Sequence, residues 1–131
     1  MRLDMIGLVV TDIQKSMDFY SVLGVIPPET WDGPYAEVTL DSGIRLSWNH
    51  VDMVKSIDPH YEPPLGQRMQ LAFLCSSPPE VDMKHRQFVE MGYKSVKEPW
   101  DAFWGQRYAQ IEDPDGNIVD VFCPIPNFNF D

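Results

Sequence analysis

The chain has 131 residues, with 20 acidic and 10 basic side chains and a formal net charge of −10. This charge disfavours nucleic acid as a partner, because a polyanion would be repelled, and it favours a cationic ligand unless it serves only to keep the surface solvated. The hydrophobic content of 44% excludes a disordered chain, and no apolar run reaches the length of a membrane span.

The beginning of the chain and the two cysteines indicate a cellular compartment. Residues 1–6 lack the basic region and the long apolar run of a signal peptide. Cys75 and Cys123 lie in apolar, strand-like runs, which favours buried thiols in a reducing compartment over a disulfide. We therefore expect a cytoplasmic protein.

The first half of the chain predicts a strand, a helix and then extended segments. Residues 3–10 alternate in polarity as a strand does. Thr11 and Gln14 have the spacing of a capping box, so a helix is expected to begin there and to end at Gly24. Residues from Val25 onward should be extended, because Pro27 and Pro28 exclude a helix.

A hairpin and a connector follow. Residues 35–40 and 44–48 read as two strands joined by a turn at 41–43. Residues 51–66 contain four prolines or glycines and no periodicity, so they are predicted to form a connector that crosses the surface. Within it, His60 is expected to be exposed to solvent, as is His50 beside it.

The second half of the chain repeats the same order. A strand is predicted over residues 69–75, and a helix should begin at Ser77-Pro78 and end at Gly92. An extended segment over residues 94–99 and an aromatic loop over 100–104 lead into the last hairpin.

That hairpin has the clearest turn signal in the chain. Residues 104–122 read as two strands around Asp113-Pro114-Asp115-Gly116, where proline fixes φ and glycine accepts positive φ. One face of the hairpin is apolar. The other face carries polar side chains among apolar ones, which suits the lining of a wet cleft. These polar residues are Gln106, Tyr108, Gln110 and Asp120.

The whole order predicts an α+β fold made of two βαβββ modules. The modules should form a curved mixed sheet around a cleft, with the helices outside, because each module leaves one sheet face to be covered by the other or by a second chain. We expect a single domain over residues 1–131, with module one at about 1–50, the connector at 51–66 and module two at about 67–131.

Two motifs in this order resemble a known superfamily. Residues 3–10, 12–20 and Leu23-Gly24 form one, and residues 104–107 with 113–117 form the other. Together they resemble the vicinal oxygen chelate superfamily, which includes glyoxalase I, extradiol dioxygenases, fosfomycin-resistance enzymes and bleomycin-resistance proteins. The bleomycin-resistance-like members are the most similar. This resemblance covers nearly the whole chain and implies a homodimer, but it does not imply one chemistry.

The resemblance also implies where a metal would be held. The inward strand positions that carry ligands in the enzymes of the superfamily correspond here to Met5, Arg45, Gln70 and Asp120. Of these four, Asp120 is a good ligand for a hard divalent ion, whereas Arg45 would repel one and is expected to face Asp120 instead. His85 is predicted to point away from the inward face. We therefore expect neither a metal nor another cofactor, and no catalytic residue is assigned.

Aromatic side chains are expected to rim the cleft, where flat rings can stack on planar ligands and attract cations. We predict a metal-free protein that sequesters an antibiotic-like, planar or cationic small molecule. Two alternatives remain open. One is a lyase, isomerase or dioxygenase of the glyoxalase type, which would bind a divalent metal through Asp120, Glu37 and further ligands, or would use Asp120 for acid-base catalysis without a metal. The other is a structural or regulatory subunit. The predicted ligand-binding residues are Trp31, Tyr35, Arg45, Gln70, Trp100, Phe103, Trp104, Gln106, Tyr108, Gln110 and Asp120.

Overall fold

The computed structural model describes residues 1–67 and 69–130, so Arg68 and Asp131 lie outside the described residues. The chain divides into two compact units, Met1–Pro63 and a second unit that begins at Pro64. Each unit contains both helices and strands, which confirms the predicted α+β class. The elements of the first unit are β1 (Met5–Val10), α1 (Ile13–Val22), β2 (Tyr35–Thr39), β3 (Arg45–His50) and α2 (Val51–Ile57). Those of the second are β4 (Leu71–Leu74), α3 (Pro78–Glu90), β5 (Ser95–Ala102), β6 (Gln106–Glu112) and β7 (Ile118–Pro124).

The first unit is a three-stranded sheet with α1 packed on one face. The strand order is β1-β3-β2, with β1 parallel and β2 antiparallel to β3. Trp48 of β3 is fully buried, as are Phe19 and Tyr20 of α1, whose rings meet edge to face at 5.0 Å. The alternation predicted for β1 is confirmed, because Leu8 and Val10 are both buried.

Three details of the first unit differ from the sequence predictions. The side chain of Asp12, rather than that of Thr11, caps α1 by accepting from the backbone N–H of Lys15 at 3.0 Å. No strand is assigned between Val25 and Trp31, and the prolines there cannot donate to a ladder.

The third difference is α2, which occupies the start of the predicted connector. His50 caps this helix, since its Nδ1 accepts from the backbone N–H of Asp52 at 3.1 Å. His50 is half-buried, so the prediction that it is exposed to solvent was wrong. The helix is short and carries no apolar stripe long enough to be recognised, and its residues include none that is buried.

The second unit follows the predicted order of strand, helix and three strands. Its sheet has the order β4-β7-β6-β5, in which β4 is parallel to β7 and the other pairs are antiparallel. Helix α3 packs on one face of this sheet against β5, β6 and β7. Val81 and Phe88 of α3 are fully buried with four residues of the sheet, namely Ala109, Ile111, Val119 and Val121.

Two boundaries in the second unit need correction. Strand β4 begins at Leu71 rather than at residue 69. Strand β5 runs on to Ala102, so that Trp100 belongs to a strand and not to the predicted aromatic loop. The register of β5 against β6 shifts between Lys97 and Trp100, and this irregularity accommodates Pro99, which has no N–H to donate. Among the described residues, no helix is long and apolar enough to cross a membrane.

Candidate functional site

The turn between β6 and β7 is held by the side chain of Asp113. Its buried carboxylate accepts from the backbone N–H groups of Asp115 and Asn117, at 2.9 and 2.8 Å, and from the Asn117 amide at 2.9 Å. Gly116 adopts a φ of +87° and its N–H donates to the Asp113 carbonyl. This rigid turn fixes the register of the two strands, so Gln110 lies opposite Asp120 and Tyr108 opposite Phe122.

The register places the predicted polar residues on one face of the sheet. Ala109 and Ile111 of β6 are buried on the α3 side, so the residues that alternate with them face the opposite way. The face away from α3 thus carries Gln106, Tyr108 and Gln110. Asp120 joins them from β7, since it pairs with Gln110. We call this the polar face of the second unit.

Asp120 is the centre of a hydrogen-bond network on the polar face. Its side chain is buried, with 5% of the residue exposed. Oδ2 accepts from Gln70 Nε2 at 2.6 Å, and Oδ1 accepts from Gln110 Nε2 at 2.9 Å. Gln110 Nε2 also lies 2.9 Å from the Tyr108 hydroxyl, and Gln70 Oε1 accepts from Gln67 Nε2 at 2.7 Å. Amide donors from Gln70, which precedes β4, and from Gln110 of β6 therefore compensate the buried carboxylate.

The same network keeps Tyr108 neutral. Burial raises the pKa of its hydroxyl to about 12, and a hydrogen bond to Asp120 together with the negative charge of that carboxylate acts in the same direction. A phenol with such a pKa remains protonated at neutral pH and serves as a donor to Asp120.

Next to the network lies an aromatic cluster formed by Trp100, Phe103 and Trp104. The Trp104 ring meets the Trp100, Phe103 and Tyr108 rings edge to face, at centroid distances of 5.5, 4.9 and 5.3 Å. Trp104 Nε1 donates to Gln106 Oε1 at 2.8 Å, and Lys97 Nζ lies 4.8 Å from the centroid of the Trp100 ring. Phe103 is 77% exposed and Trp104 41% exposed, so the cluster presents large apolar area to solvent.

Two phenylalanines after the last strand pack beside Gly105, which the sequence did not predict. Gly105, between Trp104 and Gln106, has a φ of +93°, and its carbonyl accepts from the N–H of Ile125. A Cβ at this position would lie 2.8 Å from Phe130 Cζ and 3.3 Å from Phe128 Cδ1. The rings of Phe128 and Phe130 thus occupy the space beside a glycine. The only sequence signal was the alternation of two phenylalanines after the last strand.

Three predicted ligand residues lie in the first unit. Trp31 is partly exposed just before β2, and Tyr35 begins that strand, with its hydroxyl 3.4 Å from the sulfur of Met5. The Arg45 guanidinium donates to Asp4 Oδ2 at 2.7 Å and to Glu37 Oε2 at 2.6 Å. The hydrogen bonds to Asp4 and then to Glu37 raise the pKa of Arg45 further above its ordinary value.

Arg45 and Asp120 therefore each have partners within their own unit. The predicted pairing of the two with each other stays a prediction. The other eight predicted ligand residues lie together in the second unit, on the polar face, in the aromatic cluster or at Gln70 beside β4. Their role in binding a ligand also remains a prediction.

The residues present do not fit the metal that the superfamily resemblance implies. Both oxygens of Asp120 accept from amides, and Arg45 is held between two carboxylates. Within residues 1–67 and 69–130, no three His, Cys, Asp or Glu side chains are grouped closely enough to hold a metal ion. His85, expected to point away from the site, is half-buried on α3 and bonds Ser95 Oγ at 2.7 Å.

The thiols do not offer a nucleophile either. Cys75 and Cys123 are buried and unpaired, as predicted. Burial raises the pKa of the Cys75 thiol to about 11, so the reactive thiolate is scarce at neutral pH.

Comparison with known proteins agrees with this architecture. Residues 2–121 match the family model of the Glyoxalase/Bleomycin resistance protein/Dioxygenase superfamily. The uncharacterized protein YraH of Bacillus subtilis (strain 168) is 26% identical over 125 residues, which are 93% of this chain and 98% of YraH.

Solved structures show the same fold. A glyoxalase/bleomycin resistance protein/dioxygenase family enzyme from Burkholderia phytofirmans PsJN superposes with a TM-score of 0.82 at 17% identity, covering 94% of this chain and 98% of that one. A lactoylglutathione lyase from Agrobacterium tumefaciens gives a TM-score of 0.69 at 20% identity, with 93% and 92% coverage. At such identities the likeness concerns the fold.

Proposed function

The chain belongs to the glyoxalase/bleomycin resistance protein/dioxygenase superfamily, and we propose that it is a metal-free binding protein that sequesters a planar, antibiotic-like small molecule. The observation that carries this proposal is the continuity of the aromatic cluster with the polar face, where the Trp104 ring contacts Tyr108 and Tyr108 contacts the Gln110–Asp120 pair. Rings and fixed polar groups side by side are the usual composition of a small-molecule site.

The aromatic cluster would supply most of the affinity. Phe103 and Trp104 are exposed, and Leu74, which pairs with Phe122 on the polar face, is exposed as well. Large exposed apolar groups gathered in one place are typical of binding surfaces. Each ring that stacks on a planar ligand contributes about 0.5 to 1.5 kcal/mol beyond the area it buries.

The polar groups favour binding over catalysis. A general base must be able to reach the proton that it removes, whereas the Asp120 carboxylate is 5% exposed and accepts from Gln70 and Gln110. The pKa values of the Tyr108 hydroxyl and of the buried Cys75 thiol are both raised, so neither group ionises readily at neutral pH. These groups would orient a ligand without transforming it.

A ligand screen with intrinsic tryptophan fluorescence tests the proposal. A ligand bound at the aromatic cluster should quench the emission of Trp100 and Trp104 and should be recovered chemically unchanged by mass spectrometry. By calorimetry, Trp104→Ala should weaken its binding about tenfold or more, because hot-spot aromatic residues contribute on this scale. Ile57→Ala, which removes an exposed apolar side chain from α2, should leave the affinity unchanged. Conversion of the ligand to a product would contradict sequestration.

The alternative of a metal-dependent lyase, isomerase or dioxygenase is tested with manganese or nickel alone. We expect no stoichiometric binding by calorimetry. Tight binding to the parent protein that is lost in Asp120→Asn would contradict the metal-free proposal and favour the enzyme.

We also propose, from the superfamily resemblance, that the chain forms a homodimer in the cytoplasm. Light scattering at micromolar concentration should give twice the mass of one chain, and a monomer would contradict this assembly.

Trp31, Tyr35 and Arg45 remain proposed ligand contacts. Trp31→Ala should weaken ligand binding if the proposal holds for the first unit.

A further inference from the structure

The direction of the hydrogen bonds to Asp120 is set by the chemistry of a carboxylate, which accepts hydrogen bonds and donates none. We call this direction the polarity of the network. Gln70 and Gln110 must therefore turn their amide nitrogens toward Asp120, as both do, at 2.6 and 2.9 Å. The carbonyl oxygen of each amide lies on the other branch of the side chain. Both oxygens are consequently directed away from the buried carboxylate.

Asp120 also fixes the direction of the hydrogen bonds of the Tyr108 hydroxyl. Its single O–H proton is used toward Asp120, which is one reason that its pKa is raised to about 12, and its oxygen accepts from Gln110 Nε2. Gln70 also donates to this oxygen, so the hydroxyl already accepts from both amides and is not counted among the acceptors for a ligand. None of the bonds of the network uses Gln110 Oε1, and Gln70 Oε1 keeps one lone pair beside its bond from Gln67.

Gln106, at the other end of the polar face, has the opposite orientation. Trp104 Nε1 donates to its oxygen at 2.8 Å, so its amide nitrogen is the group left to bind a ligand. The polar face therefore presents acceptors near Asp120 and a donor near the aromatic cluster.

We infer that the site selects a planar ligand whose N–H groups point toward the amide oxygens of Gln110 and Gln70, of the aromatic amidine, amine or primary amide class. This inference rests on the proposed function and adds the chemical class of the ligand. The formal net charge of −10 adds a long-range preference for the cationic members of that class.

Four small benzene derivatives distinguish the effect of ligand N–H donors from the effect of ligand charge. Benzamidine carries donors and a positive charge, and benzoate carries acceptors and a negative charge. Benzamide is neutral with N–H donors, and N,N-dimethylbenzamide is neutral without them. Binding is measured by amide chemical-shift titration. We expect benzamidine to bind most tightly, benzamide about five- to tenfold more tightly than its dimethyl derivative, and benzoate most weakly.

Substitutions then show whether the amide oxygens are the cause. In Gln110→Leu the preference for benzamide over its dimethyl derivative should shrink, since one of the acceptors is lost, whereas a merely steric effect of the methyl groups would persist in full. Gln70→Leu, which changes an exposed side chain, provides the same test should Gln110→Leu fail to fold. Gln87→Leu on the exposed side of α3 is the matched control and should change nothing.

Asp120→Asn tests the origin of the polarity. An asparagine can donate as well as accept, so the neighbouring amides are free to turn their oxygens inward. The preference for benzamidine over benzoate should then shrink by about fivefold or more, measured at high salt to suppress long-range attraction. An unchanged preference would show that Asp120 does not set the polarity.

Failure of this inference and failure of the proposed function would give different results. Equal binding of both neutral benzamides to the parent protein, still lost in Trp104→Ala, would overturn this inference and leave the proposed function standing. If no probe and no compound of the screen shifted resonances of the polar face, the inference and the proposed function would both be wrong.

Discussion

Replacing Gly105 with alanine should destabilise the protein through two separable effects. The first is conformational, because Gly105 has a φ of +93°, where a side chain costs about 1 to 2 kcal/mol. The second is steric, since the new Cβ would lie 2.8 Å from Phe130 Cζ. The Phe130 ring is at the end of a flexible side chain and can swing away, so we expect a further loss of about 1 kcal/mol.

Gly43 provides the matched control for this prediction. Its φ of +91° is nearly the same, but nothing lies within 4 Å of the Cβ that alanine would add. Gly43→Ala should therefore cost only the conformational part, about 1 to 2 kcal/mol. The difference between the two variants measures the packing of the chain end against the turn.

Urea unfolding, followed by tryptophan fluorescence, gives both free energies of unfolding. Adding Phe130→Ala to Gly105→Ala should cancel the steric part, since the clashing atoms are gone, and the double variant should lose less than the sum of the single losses. The reasoning is refuted if Gly105→Ala costs no more than Gly43→Ala, because the chain end would then not pack beside Gly105.

Three further predictions concern the second unit. The Tyr108 hydroxyl has a pKa of about 12 in the folded protein against an ordinary value of about 10, so the free energy of unfolding should fall as the pH rises from 10 toward 12. Tyr108→Phe should flatten this part of the stability profile, and equal slopes would contradict it. Asp113→Ala should cost about 2 to 4 kcal/mol in urea unfolding, since three N–H donors lose their acceptor, whereas a loss as large in Asp113→Asn would point to another cause. The thiols of Cys75 and Cys123 should react with a disulfide reagent slowly in the native protein and rapidly in urea; fast native labelling would contradict their burial.

The polar face was predictable because its signals are local. Pro114 and Gly116 define the turn, and the alternation on either side of it gives the phase of each strand. Together they predicted that Gln106, Tyr108 and Gln110 share a face with Asp120, which the register confirms. The amide orientations depend on atomic contacts that residue types alone do not specify.

Other features depend on contacts that a local pattern does not reveal. Helix α2 has seven residues, and a histidine side chain caps it in place of the usual serine, threonine or aspartate. The sequence predicts Trp100 in a loop after Pro99, yet the shifted register of β5 accommodates the proline within the strand and the strand continues through Trp100. The packing of Phe130 beside Gly105 joins residues that are far apart in sequence.

The parallel pairing of β4 with β7 has a consequence for the order of events during synthesis. In the sequence these strands are the first and the last elements of the second unit, and the helix and the other two strands lie between them. Closing so long a loop is slow, and β7 is synthesised only after α3, β5 and β6. The hydrogen bond from Gln70 to Asp120 can therefore form only after β7 has been made. Until then, the edge of β4 that pairs with β7 is exposed, next to Leu74. We expect that the nascent chain is most prone to aggregate during this interval, and that the part of the molecule proposed to bind ligand is the last to be assembled.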